Sequence, residues 1–221
     1  IDAREVCWSP DSRRLAFSSS MLGNYNIGLY SLDDRQITWL TSGGGEKSEP
    51  DWSPDGKRIA YILTDGPETW LAVHELGQPH PQVYRVETGV HFMPRFTPDG
   101  KTLIFIFDNP RQPDDLWALH LESGAFRQLT SSLPTNLAKA DFIMPQHISY
   151  PSLDGDQVPA LLYLPAGFTT DDSTTLQIWD QLVDSEELGA GTAHTYNNCL
   201  PGRSAREALI SRDWPAKGHP A

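Results

Sequence analysis

The phrase EPDWSPDGKRIAY at residues 49–61 recurs twice in altered form, as VCWSPDSRRLAF at 6–17 and PRFTPDGKTLIF at 94–105. Its anchoring aromatics, Trp8, Trp52 and Phe96, stand 44 residues apart. A fixed period in the forties marks an array of similar supersecondary units, and no other feature narrows the fold as far. A second phrase keeps the same phase. NIGLYSLDDRQITWLT at 26–41 matches DLWALHLESGAFRQLT at 115–130, two periods and one inserted residue further on.

Each unit reads as strand, tight turn, strand, loop, strand, turn, strand. In WSPDGKRIAY the proline presets φ at the second turn position. The aspartate side chain bonds back to the turn amides, and glycine takes the positive φ that follows. Asp11, Asp55 and Asp99 are therefore expected to be turn residues without a catalytic role. Ser12 replaces the glycine in the first copy, so that turn should be strained or of another type. KRIAYIL and KTLIFIF are apolar on both faces, as strands covered from two sides are. IGLYSL and QITWL flank the polar turn Asp33-Asp34-Arg35. The sum is a four-stranded antiparallel sheet of about 40–45 residues, the blade of a β-propeller. A β-sandwich would explain the strands but not the 44-residue phase. The spacing predicts blades at 1–42, 43–86 and 87–132, with Trp8, Trp52 and Phe96 equivalent and buried between sheets.

Downstream the pattern changes. SSLPTNLAKADFIMPQ (131–146) loses the strand rhythm, and residues 133–146 read as a linker. HISYPSLDGDQVPALLYLP (147–165) gives a strand, an Asp154-Gly155 turn and an apolar strand, so a new domain is expected over 147–168. Residues 169–188 hold six acidic residues and no Lys or Arg, and 169–221 receive no structural assignment.

Composition bounds the partners. The 221 residues carry a formal charge of −12, which argues against duplex nucleic acid and anionic membranes, since phosphate contacts need clustered Lys and Arg. Cys7 and Cys199 read as two reduced, partly buried thiols, favouring a cytoplasmic over a periplasmic setting. No apolar run of 18 residues occurs. Ile1 falls in mid-phrase at the opening strand of a blade, so an upstream part is expected.

Candidate chemistry is sparse. GGGEKS (43–48) resembles a phosphate-binding loop faintly, but Glu46 would repel phosphate and a strand follows; an inter-blade loop is expected. The seven histidines show no HExxH and no cysteine pairing at metal-ligand spacing. His74 and His80 flank a turn and read as strand-end or surface residues. The G-x-S-x-G nucleophile elbow is absent. GRSAR (202–206) has Arg206 where the second glycine belongs, and Ser204 with His194 lacks strand–turn–helix context. No residue is assigned a catalytic, metal-binding or cofactor-binding role, and no cofactor is expected.

The blade phrase resembles the TolB-like repeats, with their WSPDGK.IAF core. The junction resembles the prolyl-oligopeptidase family of serine peptidases, in its acylaminoacyl-peptidase and dipeptidyl-peptidase branches. There a last blade ending in QLT is followed, after a short linker, by a YPS.DG..IPALLY.P segment that opens an α/β-hydrolase domain. This chain has RQLT at 127–130 and YPSLDGDQVPALLYLP at 150–165. The resemblance spans residues 1–168. It implies part of a propeller of seven or eight blades and the opening hairpin of a hydrolase domain. The propeller would restrict entry to short peptides, without metal or cofactor. The family's His-Gly-Gly-Pro segment is missing; LQIWDQLVDSEELG (176–189) stands in its place. The chain thus reads as a piece or truncated relative of a larger peptidase, itself inactive. The alternative is a non-enzymatic TolB-like propeller that binds a protein partner.

Overall fold

The computed structural model describes residues 2–66, 68–137, 139, 142–152 and 157–164, with the backbone of 177–182 and 194–196. They form four antiparallel four-stranded sheets, and no α-helix occurs among them. Two compact units divide the chain, residues 1–141 and 142–221.

The first unit holds three sheets in simple meander order. Blade 1 comprises β1 (Arg4–Trp8), β2 (Arg14–Leu22), β3 (Asn24–Ser31) and β4 (Ile37–Trp39). Blade 2 comprises β5 (Glu46–Trp52), β6 (Arg58–Asp65), β7 (Glu68–Glu75) and β8 (Gln82–Tyr84). Blade 3 comprises β9 (Val90–Phe96), β10 (Thr102–Asn109), β11 (Gln112–His120) and β12 (Ala125–Gln128). The 44-residue period is the repeat of these sheets, a partial β-propeller.

The turn after each first strand is the same in all three. The N–H of Ser12, Gly56 and Gly100 donates to Ser9, Ser53 and Thr97 O, at 2.9, 2.8 and 2.8 Å. All three residues are left-handed, with φ of 57°, 67° and 67°. Ser12 thus keeps the turn type and accepts the strain, because a side chain costs energy where glycine does not.

The blades stack face to face. On β6, Ile59 and Tyr61 join Ala16, Ile27, Trp52 and Ala72 in a core between blades 1 and 2. Ala60 and Ile62 point the other way, into a core with Leu71, Val73, Leu103, Phe105, Phe107 and Leu119 between blades 2 and 3. The middle strand of blade 2 is thus covered on both faces, as its doubly apolar sequence requires.

Two expectations fail at the ends of the stack. Trp8 matches Trp52 and Phe96 in position, but it is 57 % exposed where Trp52 is 6 % exposed. Each first-strand aromatic packs on the preceding sheet, and no described sheet precedes blade 1. Likewise β10 is not covered on both faces. Its residues alternate between buried and half-buried, because no further sheet of the first unit follows blade 3.

The second unit contains β13 (Gln146–Pro151), β14 (Gln157–Tyr163), β15 (Gln177–Leu182) and β16 (His194–Tyr196) in that order. β13 and β14 pair from Gln146↔Leu162 to Pro151↔Gln157, the hairpin expected from the sequence. Its Asp154-Gly155 turn lies outside the described residues. β15 pairs β14 through Ala160↔Asp180 to Tyr163↔Gln177, in a region the sequence left unassigned.

Candidate functional site

The side chains that do the most specific work lie along the seams between blades. The first strand of each blade carries an irregularity, at Glu5, Glu49 and Met93, 44 residues apart. All three adopt positive φ, at 53°, 56° and 55°. This bulge turns the local N–H out of its own ladder and toward the preceding sheet. Glu5 Oε2 accepts the N–H of Glu49 at 2.6 Å and the Ser18 hydroxyl at 2.9 Å. Glu49 Oε2 in turn accepts the N–H of Met93.

A second contact runs parallel to the first. Asp51 Oδ2 accepts the N–H of Phe96 at 2.8 Å, and the Cys7 sulfur occupies the same repeat position toward the Trp52 N–H. A third is cationic. Arg14 lies over the Trp52 ring at 4.7 Å, and Arg58 over the Phe96 ring at 5.4 Å, with Arg58 also donating to Gly100 O at 2.8 Å. Each seam is therefore built from a carboxylate, an acceptor and an arginine on one blade, meeting two N–H groups and an aromatic ring on the next. Burial pushes the carboxyls of Glu49 and Asp51 up, while the N–H groups of Met93 and Phe96 pull them back. Burial, then the Asp51 charge, drives the Cys7 thiol up to about 12. A thiol so protonated is no nucleophile.

A cleft of about 640 Å³ opens between blades 2 and 3, lined in part by Arg58, Glu75, His80, Asp99, Lys101 and Glu122. Its lining is of mixed charge and also includes Val73, Pro79 and Leu121. Its lining residues include no Ser, Thr or Cys.

The expected turn residues bond local groups, as read from the sequence. Asp11, Asp55 and Asp99 accept from the hydroxyls of Ser9, Ser53 and Thr97 at 2.6, 2.5 and 2.7 Å. They also accept from the N–H of Arg13, Lys57 and Lys101 at 3.0, 3.1 and 3.0 Å. These bonds hold all three carboxyls below the usual range. The glycine loop is inverted relative to a phosphate cradle. Lys47 Nζ donates to the carbonyls of Gly43, Gly44 and Gly45 at 3.0, 2.6 and 3.0 Å. Carbonyls aimed inward at a cation cannot receive an anion. His74 is buried at a strand end, with Nε2 2.8 Å from Gln78 O, while His80 is exposed in the cleft.

Sequence reading missed three polar clasps. Asp115 Oδ1 accepts from Thr130 Oγ1 at 2.7 Å and Ser132 N at 2.9 Å, and Asp115 Oδ2 accepts from Gln128 Nε2 at 3.1 Å. Burial alone would raise this carboxyl, but these bonds outweigh it and hold the pKa below its usual value. The QLT phrase thus locks the fourth strand of blade 3. In blade 1, Thr41 does the same between the Ile27 N–H (2.8 Å) and Asn26 Oδ1 (3.1 Å). Blade 2 lacks that phrase. In its place His91 of β9, on blade 3 and fully buried, accepts the Val86 N–H through Nε2 at 3.1 Å and faces Thr69 Oγ1 of β7 through Nδ1 at 3.2 Å. Burial lowers its pKa from 6.5 to about 4, so it is neutral.

Among the described residues no group of three or more His, Cys, Asp or Glu is placed to hold a metal ion. Ser204, GRSAR and Cys199 lie outside the described residues, as does the His194 ring.

Residues 5–132 match the TolB beta propeller domain family, and the chain belongs to that family. No curated protein matches its sequence. Among solved structures it is similar to TolB from Acinetobacter baumannii, at 21 % identity and a TM-score of 0.54, over 88 % of this chain and 43 % of that one. A puromycin-hydrolyzing peptidase of Mycobacterium tuberculosis is 20 % identical, with a TM-score of 0.62 over 74 % of this chain and 26 % of that one. A puromycin hydrolase is 16 % identical, with a TM-score of 0.65 over 78 % and 28 %. The chain spans less than half the length of each, and the likeness to them is one of fold.

Proposed function

We propose that the chain is the propeller portion of a prolyl-oligopeptidase-like serine peptidase, whose blades limit access of short peptides to a hydrolase domain. The observation that carries this is the order at the junction. A blade closed by its QLT clasp on Asp115 is followed by the β13–β14 hairpin, which belongs to a separate compact unit and departs from the blade phrase. The catalytic serine and its partners are assigned to the rest of the hydrolase domain. The test is the complete gene product treated with a fluorophosphonate. Labelling of one serine in a G-x-S-x-G segment after residue 165 supports the reading. A reading frame without that segment, and no labelling, overturns it.

The second reading is a non-enzymatic TolB-like binding propeller acting through a protein partner. The 88 % of this chain that superposes on TolB favours it. The same labelling experiment separates the two.

A further inference from the structure

The walls of the cleft between blades 2 and 3 are built from repeat positions. The Leu121 N–H donates to Lys101 O at 3.0 Å, as the Leu32 N–H donates to Arg13 O at 2.9 Å in blade 1. Lys101 and Glu122 are therefore the equivalents of Arg13 and Asp33, two blades on. In blade 1 that pair closes, with Arg13 Nε 3.3 Å from Asp33 Oδ2. In blade 3 it stays open, and both side chains are exposed at the cleft.

Blade 2 supplies the facing wall. Glu75 is the register partner of Arg58 across β6 and β7, but the Arg58 guanidinium is committed to Gly100 O, at 2.8 Å, and to the Phe96 ring. Among the described residues the carboxylates of Glu75 and Glu122 and the Lys101 ammonium make no ion pair and no side-chain hydrogen bond. Asp99 differs, because Thr97 and the Lys101 N–H hold its carboxylate in the turn. The connection from β7 to β8 forms the rim. His74, 4 % exposed, reaches Gln78 O through Nε2 at 2.8 Å, and the Gln78 N–H donates to Glu75 O at 3.1 Å. Pro79 and Pro81 then fix the backbone that follows. The cleft is thus a preformed cavity that brings three uncommitted charges of both signs beside the apolar Val73, Pro79 and Leu121.

We infer that this cleft is a binding site for a short peptide with both termini free, its ammonium between Glu75 and Glu122, its carboxylate on Lys101 and its body against Val73, Pro79 and Leu121. A purely cationic ligand would leave Lys101 opposed, and a purely anionic one would meet two carboxylates. A peptide separates its two charges along a backbone, which suits groups carried on facing walls. The cleft volume of about 640 Å³ falls within the range of small-ligand sites. No catalytic group takes part, so the inference stands apart from whether a hydrolase domain follows.

The experiment titrates the full chain with trialanine, N-acetyl-trialanine, trialanine amide and alanine, following backbone amide shifts by NMR. Trialanine should saturate with a Kd on the order of 1 mM and shift the amides around Glu75, Lys101 and Glu122. Blocking either terminus should weaken binding about tenfold, since each block removes a charge-assisted contact. Glu75→Gln combined with Glu122→Gln should weaken trialanine to the same degree and abolish the penalty of the acetyl group. Lys101→Gln should abolish the penalty of the amide. Asp33→Asn, at the equivalent site of blade 1, should change nothing. Urea midpoints identify any variant that fails to fold, and the blocked peptides on the parent chain decide the case without variants. No saturable binding of trialanine, a penalty from neither block or from only one, affinity unchanged by the cleft variants, or alanine binding as tightly as trialanine overturns the inference.

Discussion

The guanidinium of Arg14 lies 4.7 Å from the ring centroid of Trp52, so the second strand of blade 1 closes over the first strand of blade 2. Trp52 is 6 % exposed beneath it, against Ala16 and Ile27. Removing this ring leaves a cavity and strands the arginine.

Trp52→Ala should destabilise the chain by about 3–5 kcal/mol. Trp8→Ala, at the equivalent but exposed position, should fall within about 1 kcal/mol of the parent. Urea denaturation of both variants checks the contrast. Equal losses would mean that the two aromatics do not differ in their contacts.

Ser12→Gly relieves a left-handed serine in an otherwise identical turn, at the cost of a more flexible unfolded chain. The net effect should be a gain of about 0.5–1 kcal/mol. Asp55→Asn removes an exposed turn carboxylate and should lower the thermal midpoint by only about 2 °C. If the peptidase reading is right, it should leave turnover of the full-length enzyme unchanged. A large loss of turnover at unchanged stability would give Asp55 a role beyond the turn.

His91 is neutral in the fold and binds a proton more readily once unfolded. Its native pKa of about 4 lies below the ordinary 6.5, so the unfolded state takes up the proton first as pH falls. Stability is therefore complete above pH 6.5 and is lost progressively down to about pH 4, by about 3 kcal/mol in total. Urea midpoints across that window should fall for the parent chain and fall less for His91→Gln, which cannot titrate.

Thr130→Val keeps the shape of the side chain but leaves Asp115 one donor short and the Leu116 N–H without its 2.9 Å acceptor. A loss of about 1–3 kcal/mol is expected. Hydrogen exchange should localise the effect to β11 and β12, and an unchanged exchange pattern would mean the clasp contributes nothing.

The chain by itself should hydrolyse neither aminoacyl- nor acylaminoacyl-nitroanilides, and no serine should take up a fluorophosphonate. Acyl transfer needs a nucleophile, a base and oriented donors for the oxyanion, and no such set was found in its sequence. Stoichiometric labelling of a serine, lost when that serine is replaced, would contradict this.

What the sequence disclosed, and what it hid, follows from the range of each interaction. The turn around Asp55 is local, so its hydrogen bonds could be read from four neighbouring residues. The period located Trp8, Trp52 and Phe96 correctly on equivalent strands. Exposure of Trp8 was not legible, because burial of a blade face depends on the sheet in front of it. The half-covered β10 has the same cause at the other end. The inter-blade carboxylates went unread: Glu5 and Glu49 stand one period apart, but Met93 holds the third position. Their purpose was hidden, because it depends on a bulge at positive φ, a conformation that neither glutamate nor methionine advertises. His91 drew no reading from the sequence, because its burial comes from Phe105 and Phe107, which enclose it at ring distances of 5.7 and 4.6 Å.

The alternation on β6, Ile59 and Tyr61 toward one neighbour and Ala60 and Ile62 toward the other, gives the middle sheet no surface of its own. Its opening requires both seams to part at once, whereas either outer sheet can peel away by losing one. Amide protons of β6 should therefore be the last in the stack to exchange with solvent, and those of β1 and β12 among the first. Forced or thermal unfolding should then run inward from the two ends, with the middle blade surviving only as long as one partner remains against it.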